Sequence, residues 1–215
     1  MNLSFIHDYE KDIWCLLNFG KGSNNSETPT EAYLELVSIY GDSPTEINVS
    51  NFIKIYLSEK NIDVEKHIAD CQKSWLPISK TYEKRAETLF AVILPEKISV
   101  FFTVNNSYPY NIPENYFFGS FNATTIHRII MHELWHFYTW YKFGKTEEKK
   151  LGAQKYNELK ESLTVLLNVV YGDLLPQEMH DVGYPQHQKM RERILELWNE
   201  SNDIEKLWER ISLEF

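Results

Sequence analysis

The spacing of hydrophobic residues predicts both strands and helices in the first part of the chain. Short apolar runs that end at turn-forming residues are typical of strands. Three such runs occur, at 12–19, 98–104 and 116–121. The last two flank an Asn/Pro-rich loop and are expected to be neighbouring strands. Between 50 and 91, apolar residues recur mostly at helical spacing, which predicts two or three helices with breaks near Asn61 and at Pro77.

Start and stop signals mark the other predicted helices. Thr28 is placed to cap a helix that has Pro29 at its first position and ends at Gly41. After Asn122 the remaining pattern is helical. The helices predicted there are 123–143 closed by Gly144, 147–171 closed by Gly172, and two shorter ones that start at Pro185 and at Asn202.

Together these patterns predict one α+β domain over residues 1–215. Its strands belong to an N-terminal half of about 1–121, and its C-terminal half of about 122–215 is helical. The composition is that of a globular protein, since 43% of the residues are hydrophobic and 25% are charged. An intrinsically disordered chain is therefore excluded.

Charge and hydropathy restrict the partners that the protein can have. Lys and Arg number 22 against 31 Asp and Glu, which gives a formal net charge of -9, so we expect no nucleic-acid partner. No apolar run approaches the roughly 20 residues that a bilayer span requires, and the N-terminus lacks a basic start followed by an apolar stretch. We therefore expect no membrane association and a cytoplasmic location, in which Cys15 and Cys71 are reduced.

The chemistry is concentrated in the segment 132–136, which has the pattern H-E-x-x-H within the predicted helix 123–143. Residues four apart on a helix share a face, so His132 and His136 can direct imidazole nitrogens at one point, with Glu133 beside them. Apolar residues surround the segment, which predicts a buried helix. Two imidazoles and a carboxylate in such a place need a partner, and a metal ion satisfies them together.

With this motif the chain resembles the zincin metallopeptidases, and the resemblance covers roughly residues 98–190. It implies a zincin-like fold with a small mixed sheet, an active-site helix and an all-helical C-terminal half. The metzincin subfamily needs a Gly and a third His soon after the motif, but Thr139 and Trp140 stand where the Gly is required, and no His follows until His180. The thermolysin-like gluzincins instead take a Glu from a second helix as the third ligand. The chain resembles a minimal, single-domain member of that group.

Two glutamates are candidates for the third ligand. The polar positions of the otherwise apolar run 159–171 form one stripe at helical spacing, and a polar stripe on a buried helix needs a polar target. The stripe consists of Glu161, Thr164 and Asn168. Glu158 lies one turn earlier, nearer to the end that carries Lys155 and Lys160, where we expect solvent. The periodicity favours Glu161 over Glu158.

The chain departs from the gluzincin pattern at one position. Thermolysin-like enzymes have an Asp four residues after the third ligand, and this chain has Val165 there. The outer support that metal-binding histidines need must then come from other residues, and Thr164 and Asn168 are the candidates.

The type of metal site is predicted from the ligands that the chain can supply. A catalytic zinc keeps a position for water, whereas a structural zinc is closed by a fourth protein ligand that is often Cys. Neither Cys15 nor Cys71 has a second Cys or His at ligand spacing, which favours a catalytic site with one Zn²⁺ per chain. The predicted metal ligands are His132, His136 and Glu161.

The resemblance also implies an activity and further roles. Glu133 would act as general base, taking a proton from water and passing it to the leaving amine. Gluzincins place a His or Tyr downstream to stabilise the oxyanion, and Tyr184 and His187, at a loop-to-helix junction, are the candidates. The structural alternative is that Tyr184 covers an apolar edge and His187 is a solvated residue of the first helical turn.

The sequence therefore predicts a zinc-dependent peptidase that acts on a peptide or protein substrate. If the strand at 116–121 has an exposed edge, an extended substrate could pair with it. The alternative function is a catalytically silent binding or regulatory protein on the same scaffold, which keeps zinc for stability.

Overall fold

The computed structural model describes residues 1–22, 28–175 and 179–214, and its α+β class agrees with the prediction. Contacts within the chain group its residues into two units. Unit 1 consists of Met1–Pro77 and Pro95–Ile126, and unit 2 consists of Ile78–Leu94 and His127–Phe215. The segment Ile78–Leu94 thus belongs with the C-terminal helices. The interpretation of the whole chain as one domain stays a prediction.

Unit 1 contains a mixed sheet. Its strands are β1 (Asn2–His7), β2 (Lys97–Thr103), β3 (Tyr110–Asn111) and β4 (Tyr116–Ser120). The strand order is β1-β2-β4-β3, in which β1 and β4 run parallel to β2 and β3 runs antiparallel to β4. The predicted strands at 98–104 and 116–121 are confirmed as neighbours, whereas β1 and β3 have no counterpart in the prediction.

Strand β4 is not the free edge that an added peptide strand requires. β3 pairs with it at Tyr116 and Phe117, and the N–H of Phe118 donates to the carbonyl of Pro109 at 3.0 Å. Every residue of β4 is buried, including the rings of Phe117 and Phe118. The predicted substrate edge is therefore wrong along this part of the strand, because neighbouring chain already uses its hydrogen-bonding groups.

The apolar run 12–19 is helical, so its prediction as a strand is wrong. Helix α1 spans Tyr9–Phe19, and Asp8 caps it by accepting hydrogen bonds from the N–H groups of Glu10 at 2.9 Å and Lys11 at 3.1 Å. An apolar run of this length fits a strand or a buried helix equally well, and here the cap favours the helix.

A buried polar cluster connects α1 with the end of β2. Asp12 is fully buried, and its Oδ1 accepts hydrogen bonds from the hydroxyl of Thr103 at 2.5 Å and the N–H of Val104 at 3.2 Å. Its Oδ2 lies 3.0 Å from Nε2 of His7. These contacts satisfy a carboxylate that would otherwise be costly to bury. Cys15 is buried on the same helix, and both cysteines are free thiols, as predicted.

Three further helices begin in unit 1. They are α2 (Glu31–Tyr40), α3 (Glu46–Glu59) and α4 (Val64–Phe90). The helix that ends at Gly41 is confirmed, but its cap is Thr30 and not Thr28. The break near Asn61 is also confirmed, while Pro77 lies inside α4, so the break predicted there is wrong. A proline inside a helix costs about 3 kcal/mol, and burial of large apolar side chains on both sides of it offsets that penalty.

In the described part of unit 2, the regular secondary structure is helical. Its helices are α5 (Ile126–Thr139), α6 (Lys145–Leu151), α7 (Ala153–Leu163), α8 (Leu166–Val170), α9 (Gln188–Ser201) and α10 (Ile204–Leu213). Gly144 does not close the first of them, because the backbone continues through a π-helical turn in which the Trp140 ring packs against Gly144. Gly152, with φ +82°, interrupts the predicted helix 147–171.

Helix α10 is capped by Asp203, one residue later than predicted, because Asn202 takes the left-handed conformation that ends α9. Among the described residues, no helix combines the length and the apolar composition needed to cross a membrane.

Aromatic packing fixes α5 within unit 2. The hydroxyl of Tyr82 donates to the carbonyl of Met131 at 2.9 Å, and the rings of Tyr82 and Tyr171 stack with centroids 4.8 Å apart. Phe90 meets Trp135 edge to face at 4.9 Å. These contacts join α5 to the part of α4 that lies in unit 2, and they hold the H-E-x-x-H segment in a rigid setting.

Candidate metal centre

The two histidines of the H-E-x-x-H segment lie on one face of α5. Their ring centroids are 4.5 Å apart, and the ring planes are nearly perpendicular. The side chain of His136 is 2% exposed and that of His132 is 21% exposed. His136 is thus enclosed by protein, whereas His132 gives the centre access to solvent.

Glu161, on α7, faces both imidazoles. Its Oε1 lies 3.3 Å from Nε2 of His136, and its Oε2 lies 3.6 Å from Nε2 of His132. Within the described ranges, these three residues form the group that could hold a metal ion, since one ligand atom from each lies within 4.8 Å of the others. Glu158 is engaged elsewhere, because its Oε1 accepts a hydrogen bond from Gln154 at 3.0 Å.

The donor atoms suit zinc in type and spacing. Zinc accepts imidazole nitrogen and carboxylate oxygen at about 2.0–2.2 Å in a tetrahedral arrangement, which separates neighbouring donors by about 3.3–3.6 Å. The oxygens of Glu161 lie 3.3 and 3.6 Å from the two imidazole nitrogens. The donor types therefore suit zinc, and the three side chains lie close enough together to share one ion.

Asp181 orients His132. Its Oδ2 lies 2.6 Å from Nδ1 of the imidazole, so Nδ1 donates to it and Nε2 is directed toward Glu161. The side-chain amide of Asn168 bonds both the N–H of Asp181, at 2.7 Å, and its carbonyl, at 2.8 Å. The hydroxyl of Thr164 lies 3.0 Å from Oδ1. The loop carboxylate is therefore held in position by other groups of the protein.

A buried arginine supports the same carboxylate. Nη2 of Arg191 lies 2.9 Å from Oδ1 of Asp181 and 2.6 Å from its carbonyl oxygen. Burial alone would raise the pKa of Asp181, but the charges of His132 and Arg191 hold it below its usual range. Burial likewise opposes the charged form of His132, but Asp181 and Glu161 outweigh it and raise the pKa of His132 well above its usual value.

Lys160 is buried, so the expectation that it lies in solvent is wrong. Its side chain is 2% exposed, and Nζ lies 2.9 Å from Oε1 of Glu161. Burial alone would raise the pKa of Glu161. The neighbouring His136 and Lys160 outweigh that effect and lower the pKa to well below its usual range. The pKa of His136 is lowered to about 3, mainly by burial, so this imidazole is neutral and ready to bind a metal.

Glu133 supplies the carboxylate of the motif, and it does not belong to the group of candidate ligands. It is 5% exposed, and in the described part of the chain no donor reaches its Oε2. Burial raises the pKa of Glu133 to about 8, and the charge of Glu161 adds to this effect, while His132 and Lys160 oppose it. A buried carboxylate oxygen without a donor is unfavourable for folding, and such groups are concentrated at functional sites.

Tyr184 and His187 lie outside the group of candidate ligands, at the 3₁₀ turn Pro185–His187. Their rings meet edge to face with centroids 5.5 Å apart. His187 is 8% exposed, so its interpretation as a solvated residue is wrong. Burial lowers the pKa of His187, and the charges of Glu161 and Glu158 oppose this effect. His187 is therefore within electrostatic reach of the centre.

The sequence did not single out Asp181 or Lys160. The valine at position 165 indicated that a supporting carboxylate was missing, and Thr164 and Asn168 do belong to the support, but they act by holding Asp181. A loop residue has no periodicity that could identify it. Lys160 was assigned to solvent by its residue type, although α7 is buried on all sides around it.

Comparisons of this chain with protein-family models, with curated proteins and with solved structures find no match. The chemistry of the centre is therefore inferred from its donor atoms, its burial and its hydrogen bonds. Two imidazoles and a carboxylate can hold a divalent cation, and the adjacent buried carboxylate can exchange a proton with water or with a substrate.

Proposed function

We propose that this protein is a zinc-dependent peptidase of the gluzincin type, with a zincin-like fold and a peptide or protein substrate. His132, His136 and Glu161 hold one zinc ion per chain, and Glu133 is the general base. The observation that carries the proposal is the buried Oε2 of Glu133, which has no donor among the described residues and belongs to the residue next to a ligand. A purely structural site has no use for such a carboxylate.

The residues of the chain divide the work of hydrolysis. Zinc, when bound, supplies Lewis-acid chemistry that activates water and polarises a peptide carbonyl. Glu133 takes one proton from the attacking water and delivers it to the nitrogen of the leaving amine as the C–N bond breaks. A base performs both transfers best when its pKa lies near the working pH. Burial raises the pKa of Glu133 above its usual value, and the charge of a bound zinc ion would act in the opposite direction.

Two further groups have supporting roles in this proposal. Asp181 keeps Nε2 of His132 directed at the ion, as outer carboxylates do in metal sites. His187 and Tyr184 are the candidates for a donor to the oxyanion that develops on the substrate carbonyl. The burial of His187 and its electrostatic interaction with Glu161 favour it over Tyr184.

The proposal is tested with the parent protein and the Glu133→Gln variant, both loaded with zinc to equal occupancy. Gln matches Glu in size, so the fold and the zinc should be retained, while the rate should fall by about 10²–10⁴ because the base is lost. Cleavage of a mixed peptide library is followed by mass spectrometry of new termini. Glu192→Gln, an exposed change on α9, is the matched control and should behave like the parent.

Two outcomes contradict the proposal in different ways. Equal cleavage by the parent and by Glu133→Gln shows that Glu133 is not the base. Cleavage by neither protein, with zinc bound to both, favours the alternative of a catalytically silent scaffold.

A further inference from the structure

The Lys160 ammonium has no role in the hydrolysis described above, although it contacts a proposed ligand. Nζ lies 2.9 Å from Oε1 of Glu161, the same oxygen that lies 3.3 Å from Nε2 of His136. Both side chains are buried, at 2% and 6% exposure. Neighbouring residues of a helix normally point about 100° apart. The contact therefore requires Lys160 to bend toward the centre and away from the exposed N-terminal end of α7.

A buried ammonium and a buried carboxylate each need an opposite charge close by. In the metal-free centre, Lys160 supplies that charge to Glu161. A zinc ion bound by the same carboxylate would supply it as well, with twice the charge. Either cation can therefore neutralise Glu161. When zinc and the Lys160 ammonium are both present, they repel each other in surroundings that screen charge poorly.

We propose that Lys160 is a counter-cation of the proposed metal site, which stabilises the metal-free centre and lowers its affinity for zinc. This inference rests on the proposed function, because it needs Glu161 to be a ligand. The opposite effect, in which Lys160 strengthens zinc binding by holding Glu161 in place, is the competing possibility. We favour the repulsive effect, since Lys160 contacts the same oxygen of Glu161 that faces His136 and would bring its charge close to a bound ion.

The test compares Lys160→Met, which removes the charge and keeps the length of the side chain, with Lys155→Met. The second change has the same chemistry at an exposed position of the same helix. Zinc affinity is measured by competition with a chromophoric chelator, and thermal unfolding is measured with and without zinc. We expect Lys160→Met to bind zinc at least tenfold more tightly, to unfold at a lower temperature without zinc, and to gain more stability from zinc than the parent does. Lys155→Met should match the parent.

Each remaining outcome is decisive. An affinity that is unchanged or weaker in Lys160→Met overturns the inference about Lys160 and leaves the proposed function intact. A parent that binds no zinc, or binds it equally well after His132→Ala, overturns the proposed function itself. If Lys160→Met does not fold, Lys160→Gln, which removes the charge but keeps an N–H donor for Glu161, is judged by the same criteria.

Discussion

Glu161 and Glu158 differ in burial and in partners although they lie about one turn apart on α7. Glu161 is buried against the two histidines, and Glu158 bonds to Gln154. This difference favours Glu161 as the proposed third ligand, because a ligand must share the space between the imidazoles. Sequence periodicity alone favoured Glu161 but left Glu158 open.

The first prediction separates these two glutamates. Glu161→Ala should reduce zinc affinity by more than about 100-fold, since changes outside the ligand shell alone cost about 10–100-fold. Glu158→Ala should retain the zinc content of the parent. Zinc is measured by atomic emission after dialysis against a weak chelator. Loss of zinc from Glu158→Ala, with retention by Glu161→Ala, would move the third ligand to position 158.

Residue-scale prediction worked where a pattern existed. H-E-x-x-H and the polar stripe through Glu161 follow helical spacing, and the structure brings these residues together. Asp181 lies in a loop, where its neighbours in sequence carry no signal of its target. Lys160 was misjudged because residue type predicts exposure only on average.

At the scale of elements, the carboxylate that supports His132 comes from a loop. Asp181 lies between α8 and the 3₁₀ turn, and Asn168 and Arg191, from the helices on either side, bind its backbone and its side chain. The loop carboxylate is therefore held from both flanking helices. In the proposed function, Asp181 would take the role of the Asp that gluzincins place where this chain has Val165.

The loop is tested by Asp181→Asn. The change keeps the size of the side chain but removes the charge that holds Nδ1 of His132, so zinc affinity should fall by about 10–100-fold. Asp173→Asn, an exposed change that affects only the ion pair with Arg85, is the matched control and should bind zinc like the parent. Chelator competition measures both. An unchanged affinity in Asp181→Asn would show that the loop does not support the centre.

Elements were predicted best where several signals agreed. Strands β2 and β4 combine apolar runs with flanking loops, and α2 has both a start signal and a glycine stop. The run 12–19 carried one ambiguous signal, which the cap at Asp8 decided in favour of a helix. At Gly144 the stop signal failed because packing of Trp140 needs a glycine there for reasons unrelated to helix ending.

At the scale of the whole molecule, the two units carry different chemistry. Unit 2 contains the candidate ligands together with Asp181 and Lys160, while both cysteines belong to unit 1. Burial raises the pKa of Cys15 to about 12 and that of Cys71 to about 11. Since the thiolate is the reactive form, neither thiol should be reactive while unit 1 is folded.

The burial of both thiols predicts slow chemical labelling of the folded protein. At pH 8 the native protein should react with an aromatic disulfide reagent far more slowly than the same protein in denaturant, which is the control. Both thiol pKa values are higher in the folded than in the unfolded state, so the protonated thiols favour the folded state. This contribution to the free energy of unfolding is complete below about pH 9 and is lost as the pH rises toward 11–12. Rapid reaction of either thiol in the native protein at pH 8 would contradict the burial of Cys15 and Cys71 within unit 1.

The proposed metal site is tested by anomalous diffraction at the zinc absorption edge from crystals of the zinc-loaded protein. We expect one peak per chain, within about 2.0–2.2 Å of an imidazole nitrogen of His132, an imidazole nitrogen of His136 and a carboxylate oxygen of Glu161. Asp181 should still hold Nδ1 of His132, and no fourth protein side chain should complete the site. A peak elsewhere in the chain, or one completed by Glu158 or by a fourth side chain, would contradict the assignment of a catalytic zinc site to these residues.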